Sequence, residues 1–155
     1  MNSNILLLNT FFKSLKMNEY QQLNGCCSEH VVYFDPIFGL LERNKLIGLW
    51  EMLSKNAKGL AIDYGEIVPV DDEYYTCDWS ITYYYPPTGR KVQSSIKSYF
   101  LLKEGKIEEY SNAYSIHDWS KQAIGFTGWL FGWNRFFQQS IKNKAQKALI
   151  SFLQG

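Results

Sequence analysis

The feature that most constrains this chain is a run of strand-like segments joined by short turns, between residues 60 and 116. The sequence PPTG at residues 86–89 and the sequence KEG at residues 103–105 supply two of these turns. Four long consecutive strands with short connections predict an antiparallel meander. The predicted strands, rich in β-branched and aromatic residues, are 60–69, 73–85, 90–103 and 106–116.

Helical spacing dominates the chain before the meander. Residues 4–17 have one apolar stripe and predict a helix, and a short second helix is predicted around residues 19–26. The sequence HVVYF at 30–34 predicts a short strand that stops at Asp35, which precedes a proline. Helical spacing returns at residues 43–57. Because the helices come first, the sequence predicts an α+β fold with helices on one face of the sheet.

Alternation along the third meander strand assigns its two faces. The drier face is predicted to look toward the helices, because successive side chains of a strand point to opposite sides. Two small serines on this face leave space, which becomes a cavity when a curved sheet is covered by helices. The drier face carries Val92, Ser94, Ile96, Ser98, Phe100 and Leu102.

The end of the chain has an unusual distribution of charge. From Trp119 onward there is no Asp or Glu but there are five bases, whereas the rest of the chain has 16 − 5 = 11 bases and 15 acids. A basic tail could contact nucleic acid, an anionic membrane or an acidic face of the same protein, and the last is favoured. The five bases are Lys121, Arg135, Lys142, Lys144 and Lys147.

An aromatic and glycine-rich segment, IGFTGWLFGW at 124–133, precedes a basic amphipathic helix at the end of the chain. Such a helix could rest on an anionic membrane, fold back on the sheet, close a pocket or exchange between protomers. Packing within the protein or a dimer is favoured, because most amphipathic helices bury their apolar stripe in protein. Asp118 is predicted to cap the first helix of this region.

Several chemistries are disfavoured by what the sequence lacks. The three cysteines form no CxxC pair, and His30 and His117 have no second ligand at suitable spacing. We therefore predict no disulfide framework, no metal site and no cofactor. The sequence has no glycine-rich phosphate loop, and no nucleic-acid partner is predicted. No apolar run reaches membrane-spanning length. The first helix is interpreted as part of the mature protein and not as a signal peptide, and a cytoplasmic location is expected.

The order of helix, helix, short strand, helix and four-stranded meander resembles the nuclear transport factor 2-like superfamily. This superfamily includes ketosteroid isomerase, SnoaL-type polyketide cyclases and limonene epoxide hydrolase. The resemblance rests on HVVYFDPIFG at 30–39, on the helix holding Leu46 and Trp50, and on LLKEGKIEEYSNAY at 101–114.

The resemblance implies one cystatin-like α+β domain over residues 1–155. Its curved antiparallel sheet would form a cone around the N-terminal helices, with a pocket at the wide end. Residues 118–155 would be an added C-terminal aromatic and basic helical extension.

The resemblance also implies roles for individual residues. Asp35 falls where ketosteroid isomerase has its catalytic base, which moves a proton between two substrate carbons. Phe11 replaces the isomerase's tyrosine donor, and Ser98 falls near its second oxyanion donor and can donate only weakly. Asn112 stands where relatives often have an acid. Steroid isomerase activity is therefore not expected, because each lost donor typically costs about 10²–10³ in rate.

The predicted function is the binding of a small apolar molecule carrying a carbonyl or epoxide. Asp35 would be the base and Ser98 a weak donor in any isomerase-type or hydrolase-type turnover. The same aspartate could instead cap the turn before the proline, and both interpretations stay open. The pocket is predicted to be lined by Phe11, Leu15, Asp35, Trp50, Ile96, Ser98 and Asn112.

Two alternatives belong to other functional classes. One is a non-catalytic module that forms a homodimer through the sheet, as relatives commonly do, or holds a partner there. The other is peripheral membrane association through residues 125–153, which is not favoured from the sequence.

Overall fold

The computed structural model describes residues 2–155 as six α-helices, one short 3₁₀-helix and one six-stranded sheet. A 3₁₀-helix at Tyr20–Gln22 connects α1 to α2. Asn2 caps α1, with its side chain accepting hydrogen bonds from the amides of Asn4 and Ile5. The helices are α1 Ser3–Lys16, α2 Leu23–Cys26, α3 Arg43–Asn56, α4 Ile116–Ala123, α5 Phe126–Phe131 and α6 Arg135–Gln154.

The sheet is curved and mixed, with strand order β2-β1-β6-β5-β4-β3. Strands β3 to β6 form the predicted antiparallel meander, and β1 joins it by pairing in parallel with β6. Register shifts interrupt the β3–β4 and β5–β6 pairs, which is how a sheet acquires local bends. The strands are β1 Cys27–Asp35, β2 Gly39–Glu42, β3 Lys58–Pro69, β4 Tyr74–Tyr84, β5 Lys91–Lys103 and β6 Lys106–Ala113.

The inner face of the sheet packs on α1 and α3 as alternation predicts. On β5, the predicted dry face is buried at every second position from Val92 to Leu102, while the intervening residues up to Tyr99 are exposed. Four aromatic rings form the centre of this core. Phe11 and Phe12 of α1 meet Phe100 and Tyr110 of the sheet, with ring centroids between 4.8 and 5.7 Å apart.

The C-terminal helices form a second hydrophobic cluster over one end of the sheet. We call α4, α5 and α6 together the cap. The cluster combines Trp119 and Ala123 of α4 and Ile141 of α6 with Val92 of β5 and Ile37 of the turn after β1. Further along α6, Leu149 joins the main core. The expected folding of the tail onto the protein therefore agrees with the described contacts.

Two boundaries near the cap differ from the prediction. The last strand was predicted to reach residue 116 but ends at Ala113. The predicted cap of the next helix was Asp118, but Ser115 caps it by accepting a hydrogen bond from the amide of Asp118. The helix thus starts at Ile116, and Asp118 lies in its first turn, where a negative charge favours the helix dipole. The prediction of Asp118 as the N-cap was wrong.

Within residues 2–155, no helix is both long enough and apolar enough to cross a membrane. The apolar residues of the longest helix, α6, are distributed between buried positions such as Ile141 and exposed ones such as Ile150.

Stability above neutral pH is expected to depend on Cys27, which begins β1 inside the core. Burial raises the pKa of its thiol from 9.0 to about 12, and the adjacent Cys26 adds to the shift. The folded state therefore keeps a proton that the unfolded chain loses, so this stabilisation is present below pH 9 and is lost as the pH rises to about 12. We expect Cys27→Ala to flatten the fall in unfolding free energy just above pH 9, by up to about 1.4 kcal/mol per pH unit. Denaturant titrations at several pH values measure this slope.

The matched control is Ser28→Ala, which changes the neighbouring residue without removing an ionisable group. It should leave the slope as in the wild type. An unchanged slope in Cys27→Ala would show that the thiol titrates alike in both states.

Candidate functional site

Polar side chains on the inner face of the sheet come together at one level of neighbouring strands. Ser98 of β5 lies opposite Asn112 of β6. Strand β1 runs beside β6 with Phe34 opposite Ser111, so the next residue, Asp35, lies beside Asn112 on the inner face. We call the connected set the polar chain: Trp79, Ser98, Asn112, Tyr33, Asp35 and Tyr114.

The hydrogen bonds of the polar chain run in one direction and end at the carboxylate. The Trp79 indole N–H donates to Ser98 Oγ at 2.7 Å, and Ser98 Oγ donates to Asn112 Oδ1 at 2.5 Å. Asn112 Nδ2 donates to the Tyr33 hydroxyl at 2.9 Å, and that hydroxyl donates to Asp35 Oδ2 at 2.8 Å. Each bond polarises the next, which strengthens the whole series in a buried environment.

The Asp35 carboxylate points inward and is only 5% exposed. Its Oδ1 accepts from the amides of Ile37 and Phe38 at 2.8 and 3.1 Å, and from the Tyr114 hydroxyl at 2.7 Å. The turn-capping interpretation is therefore realised in the structure. Oδ2 accepts one hydrogen bond, from Tyr33, and so has acceptor capacity left for a proton or a ligand group.

The two tyrosines that contact Asp35 act as neutral donors. Burial raises the pKa of Tyr33 well above 10, and the nearby Asp35 charge raises it further. The pKa of Tyr114 is raised well above 10 for the same two reasons, in the same order. Both hydroxyls therefore keep their protons at neutral pH, and each directs its hydrogen toward the carboxylate.

Two buried groups beside the polar chain lack hydrogen-bond partners within residues 2–155. They are the Tyr110 hydroxyl and the Trp50 indole N–H. Tyr110 packs against Tyr33 with ring centroids 4.7 Å apart, and Trp50 lies 6.2 Å from Trp79 by the same measure. The Tyr110 hydroxyl does have polar neighbours, because the Asn112 and Ser98 side chains limit the rise in its pKa that burial causes. Trp50 belongs to the main core, beside Trp79 at the opposite end of the polar chain from Asp35.

The structure brings together three of the predicted site residues, Asp35, Ser98 and Asn112. The single hydroxyl proton of Ser98 is committed to Asn112, so in this arrangement Ser98 has no hydrogen left for a ligand. The roles of all three in binding or catalysis stay predictions.

The other predicted pocket residues lie in different places. Phe11, Leu15 and Trp50 are at most 3% exposed and belong to the main core. The rings around Phe11 fill the space in which a hollow was expected, because their edges and faces contact one another directly. Ile96 contributes to a shallow groove that crosses strands β3 to β6. Ligand contacts by these four residues stay predictions.

Sequence reasoning missed the tyrosines that hold Asp35. Tyr33 precedes Asp35 by two residues on the same strand, and Tyr114 follows Asn112 by two. A period of two places such pairs on one face, so the signal was present in the strand alternation. Trp79 lies in the main core, and its N–H also begins the polar chain.

The cap covers the polar chain on the Tyr114 side. Tyr114 packs against both hydrophobic clusters, and Tyr83 does the same. The Trp119 indole N–H of α4 donates to the Tyr83 hydroxyl at 2.8 Å. Burial raises the pKa of Tyr83 to about 12, so this hydroxyl is also neutral. The cap therefore packs against Tyr114, the side chain that donates to Asp35 Oδ1.

A solvent-accessible groove adjoins the edge of the cap. It has a volume of about 310 Å³ and lies between α4 and the strands β5 and β6. Tyr114 forms part of its wall and also donates to Asp35 Oδ1. Its wall is otherwise mostly polar, with Gln93, Ser94, Ser95, Ser115, Asp118, Lys121 and Gln122. Residues 2–155 contain no group of three His, Cys, Asp or Glu side chains that could hold a metal ion.

Comparison with solved structures identifies the architecture. A protein from Jannaschia that is designated a SnoaL-like polyketide cyclase has a TM-score of 0.68 and 13% identity. The match covers 80% of this chain and 92% of the Jannaschia chain. An epoxide hydrolase of M. tuberculosis, similar to limonene epoxide hydrolase, has a TM-score of 0.66 and 15% identity. The match covers 83% of this chain and 93% of the hydrolase chain. A Catenulispora acidiphila protein with a ketosteroid isomerase-like fold, crystallised with trimethylamine, has a TM-score of 0.66 and 9% identity. The match covers 76% of this chain and 91% of the Catenulispora chain.

No protein-family model matches the sequence, and neither does any curated protein. At such low identities the structural likeness concerns the fold alone. The chain has the nuclear transport factor 2-like fold, shared with ketosteroid isomerase-like and SnoaL-like proteins. The predicted fold class is therefore confirmed.

Proposed function

We propose that the protein binds a small, largely apolar molecule with a carbonyl or epoxide oxygen between the polar chain and the cap. The observation that carries the proposal is the buried Asp35 carboxylate, which faces the interior among neutral hydrogen-bond donors at the covered end of the sheet. Solved structures with this fold include proteins named as polyketide cyclases and epoxide hydrolase-like enzymes, which supports a ligand-binding use of the fold.

The apolar part of the ligand would lie against the cap. Ile37, Trp119 and Ile141 provide an apolar surface directly opposite Tyr114. For the ligand to occupy this space, the Trp119–Tyr83 hydrogen bond must break and α4 must move away from the sheet. Because the cap cluster contains fewer buried residues than the main core, opening it should cost less than opening the main core.

The oxygen of the ligand would be held by a tyrosine hydroxyl. Tyr114 packs against the cap cluster and can turn its hydrogen from Asp35 to a ligand oxygen. If the ligand reacts, Asp35 Oδ2 would accept a proton from a carbon next to a carbonyl and return it to another carbon. In an epoxide opening it would instead take the proton of a water that attacks a ring carbon. The C–O bond of the ring would break, its oxygen would take the hydroxyl proton of Tyr114, and Tyr114 would regain a proton from Asp35.

The binding proposal is tested by a thermal-shift screen of neutral ketones, enones and epoxides, followed by calorimetric titration of the compounds that stabilise the protein. We expect Tyr114→Phe to weaken binding of these compounds at least about tenfold, the effect of losing one hydrogen bond to a buried group. The control is Tyr99→Phe, which removes a hydroxyl from the exposed outer face of β5 and should not change the Kd. Equal affinities for wild type and Tyr114→Phe would contradict the proposal.

Turnover is tested separately with Asp35→Asn. This variant keeps the size of the side chain and an acceptor for the turn amides, but it removes the base. We expect it to fold and to lose any turnover of the compounds that bind. Full activity in Asp35→Asn would exclude Asp35 as the base.

A further inference from the structure

Large apolar side chains that are close together in the sequence are exposed on α5 and at the start of α6. Three of them are 68 to 87% exposed, which is unusual for side chains this large. Phe126 and Trp129 stack on each other with ring centroids 5.8 Å apart, although neither is buried. We call this group the aromatic patch: Phe126, Trp129, Leu130, Phe131, Trp133 and Phe136.

The outward direction of the patch is built into the packing of α5. This helix lies on α4 through Gly128, where a Cβ would stand 2.0 Å from the Ser120 carbonyl oxygen. Gly132 follows one turn later, and a Cβ there would stand 2.7 Å from the His117 ring. Because only glycines fit on the inner side of α5, its bulky residues are left on the outer side.

Several polar groups of this segment are already hydrogen-bonded within the protein. The Trp133 indole N–H donates to the Leu130 carbonyl at 2.9 Å. The Gly132 carbonyl accepts from Gln138 Nε2 at 2.7 Å, and the Trp129 carbonyl lies 3.0 Å from His117 Nε2. The patch can therefore leave water without stranding these donors and acceptors, which is what an apolar medium requires.

The segment that carries the patch contains basic residues and no acid. Arg135 lies in sequence between two patch residues, and the Arg90 side chain lies against Gly125, which begins α5. No acid occurs from Trp119 to Gly155, and the preceding one, Asp118, is 3.1 Å from the Lys121 ammonium. A second copy docking on the patch would bring like charges together, whereas an anionic bilayer surface would neutralise them.

We propose that the aromatic patch docks the protein on an anionic lipid bilayer, with Trp and Phe rings in the interfacial layer and the flanking arginines at the lipid phosphates. Tryptophan and arginine suit this layer because each combines apolar bulk with a polar group that can reach the headgroups, and phenylalanine adds apolar area. The aromatic patch is separate from the polar chain, so the membrane proposal and the ligand-binding proposal can be tested independently.

The test is sedimentation of the full-length protein with vesicles containing about 30% phosphatidylglycerol in phosphatidylcholine. We expect wild type to sediment with these vesicles, to bind pure phosphatidylcholine vesicles less, and to be released as salt rises. The triple variant Trp129→Ser, Trp133→Ser, Phe136→Ser should bind at least about tenfold more weakly. Its melting temperature should stay near that of wild type because these side chains are exposed.

The matched control is Leu40→Ser with Val70→Ser, which removes two apolar side chains that are 72 and 66% exposed elsewhere. It should sediment like wild type. Arg135→Gln should reduce the preference for anionic vesicles while leaving the rings in place. Three results would each overturn the proposal. The wild type could stay in the supernatant, or the triple variant could bind as the wild type does. The wild type could also form a dimer that the triple variant disrupts, with no vesicle binding by either protein.

Discussion

Replacing Asp35 by alanine is expected to lower the free energy of unfolding by at least about 3 kcal/mol. The substitution removes the acceptor of four hydrogen bonds, two from backbone amides and two from tyrosine hydroxyls. Each buried donor left without an acceptor costs about 1–3 kcal/mol, and partial access of water to the site limits the sum. Urea titration of wild type and variant measures the difference.

The matched control for this prediction is Asp63→Ala. Asp63 is an exposed aspartate on β3 of the same sheet. Its removal should change the unfolding free energy by less than about 0.5 kcal/mol, as is usual for surface positions. Similar losses for Asp35→Ala and Asp63→Ala would mean that the polar chain does not hold the end of the sheet together.

Replacing Gly128 by alanine is expected to cost about 2 kcal/mol and to loosen α5 from α4. The new Cβ would lie 2.0 Å from the Ser120 carbonyl oxygen, a backbone atom that cannot move without distorting α4. The higher helix propensity of alanine offsets about 1 kcal/mol of the clash. We expect faster hydrogen exchange at the amides of Trp129 and Gly132, which bond within α5 and its cap residue.

Gly25→Ala provides the control, because Gly25 lies in α2 and a Cβ there meets nothing within 4 Å. It should keep or slightly raise the stability. If Gly128→Ala is as stable as Gly25→Ala and exchanges no faster in α5, the close packing of α5 on α4 is wrong. The same outcome would weaken the argument that glycines direct the aromatic patch outward.

Local patterns predicted most of the secondary structure. The alternation on β5 placed its inner and outer faces correctly, because one face of that strand is buried along most of its length. Strand β2 was missed, since four residues are too few to show a period. The parallel pairing of β1 with β6 joins residues about eighty positions apart, and no local pattern contains that information.

The site was predicted in part. Asp35 was identified from its place before a proline and from the family resemblance, and it is buried in the structure. Ser98 and Asn112 followed from the family resemblance. The filling of the interior by Phe11, Phe100 and neighbouring rings depends on side-chain volumes across several elements, and periodicity does not report volume.

The packing of the C-terminal segment was also predicted only in part from its sequence. Its amphipathic pattern predicted a helix packed on the protein, but it did not predict that α5 would expose one large apolar patch. That outcome depends on the tight contact of Gly128 with α4, which arises between two elements.

The most direct test of a functional site at Asp35 is the carboxyl ¹³C signal of this residue in protein labelled at aspartate carboxyls, assigned by comparison with Asp35→Asn. Addition of a compound that stabilises the protein in the thermal-shift screen should shift the Asp35 signal in a saturable manner. The signal of the exposed Asp63 should not move. A compound that binds at full occupancy while leaving the Asp35 signal unchanged would contradict the account.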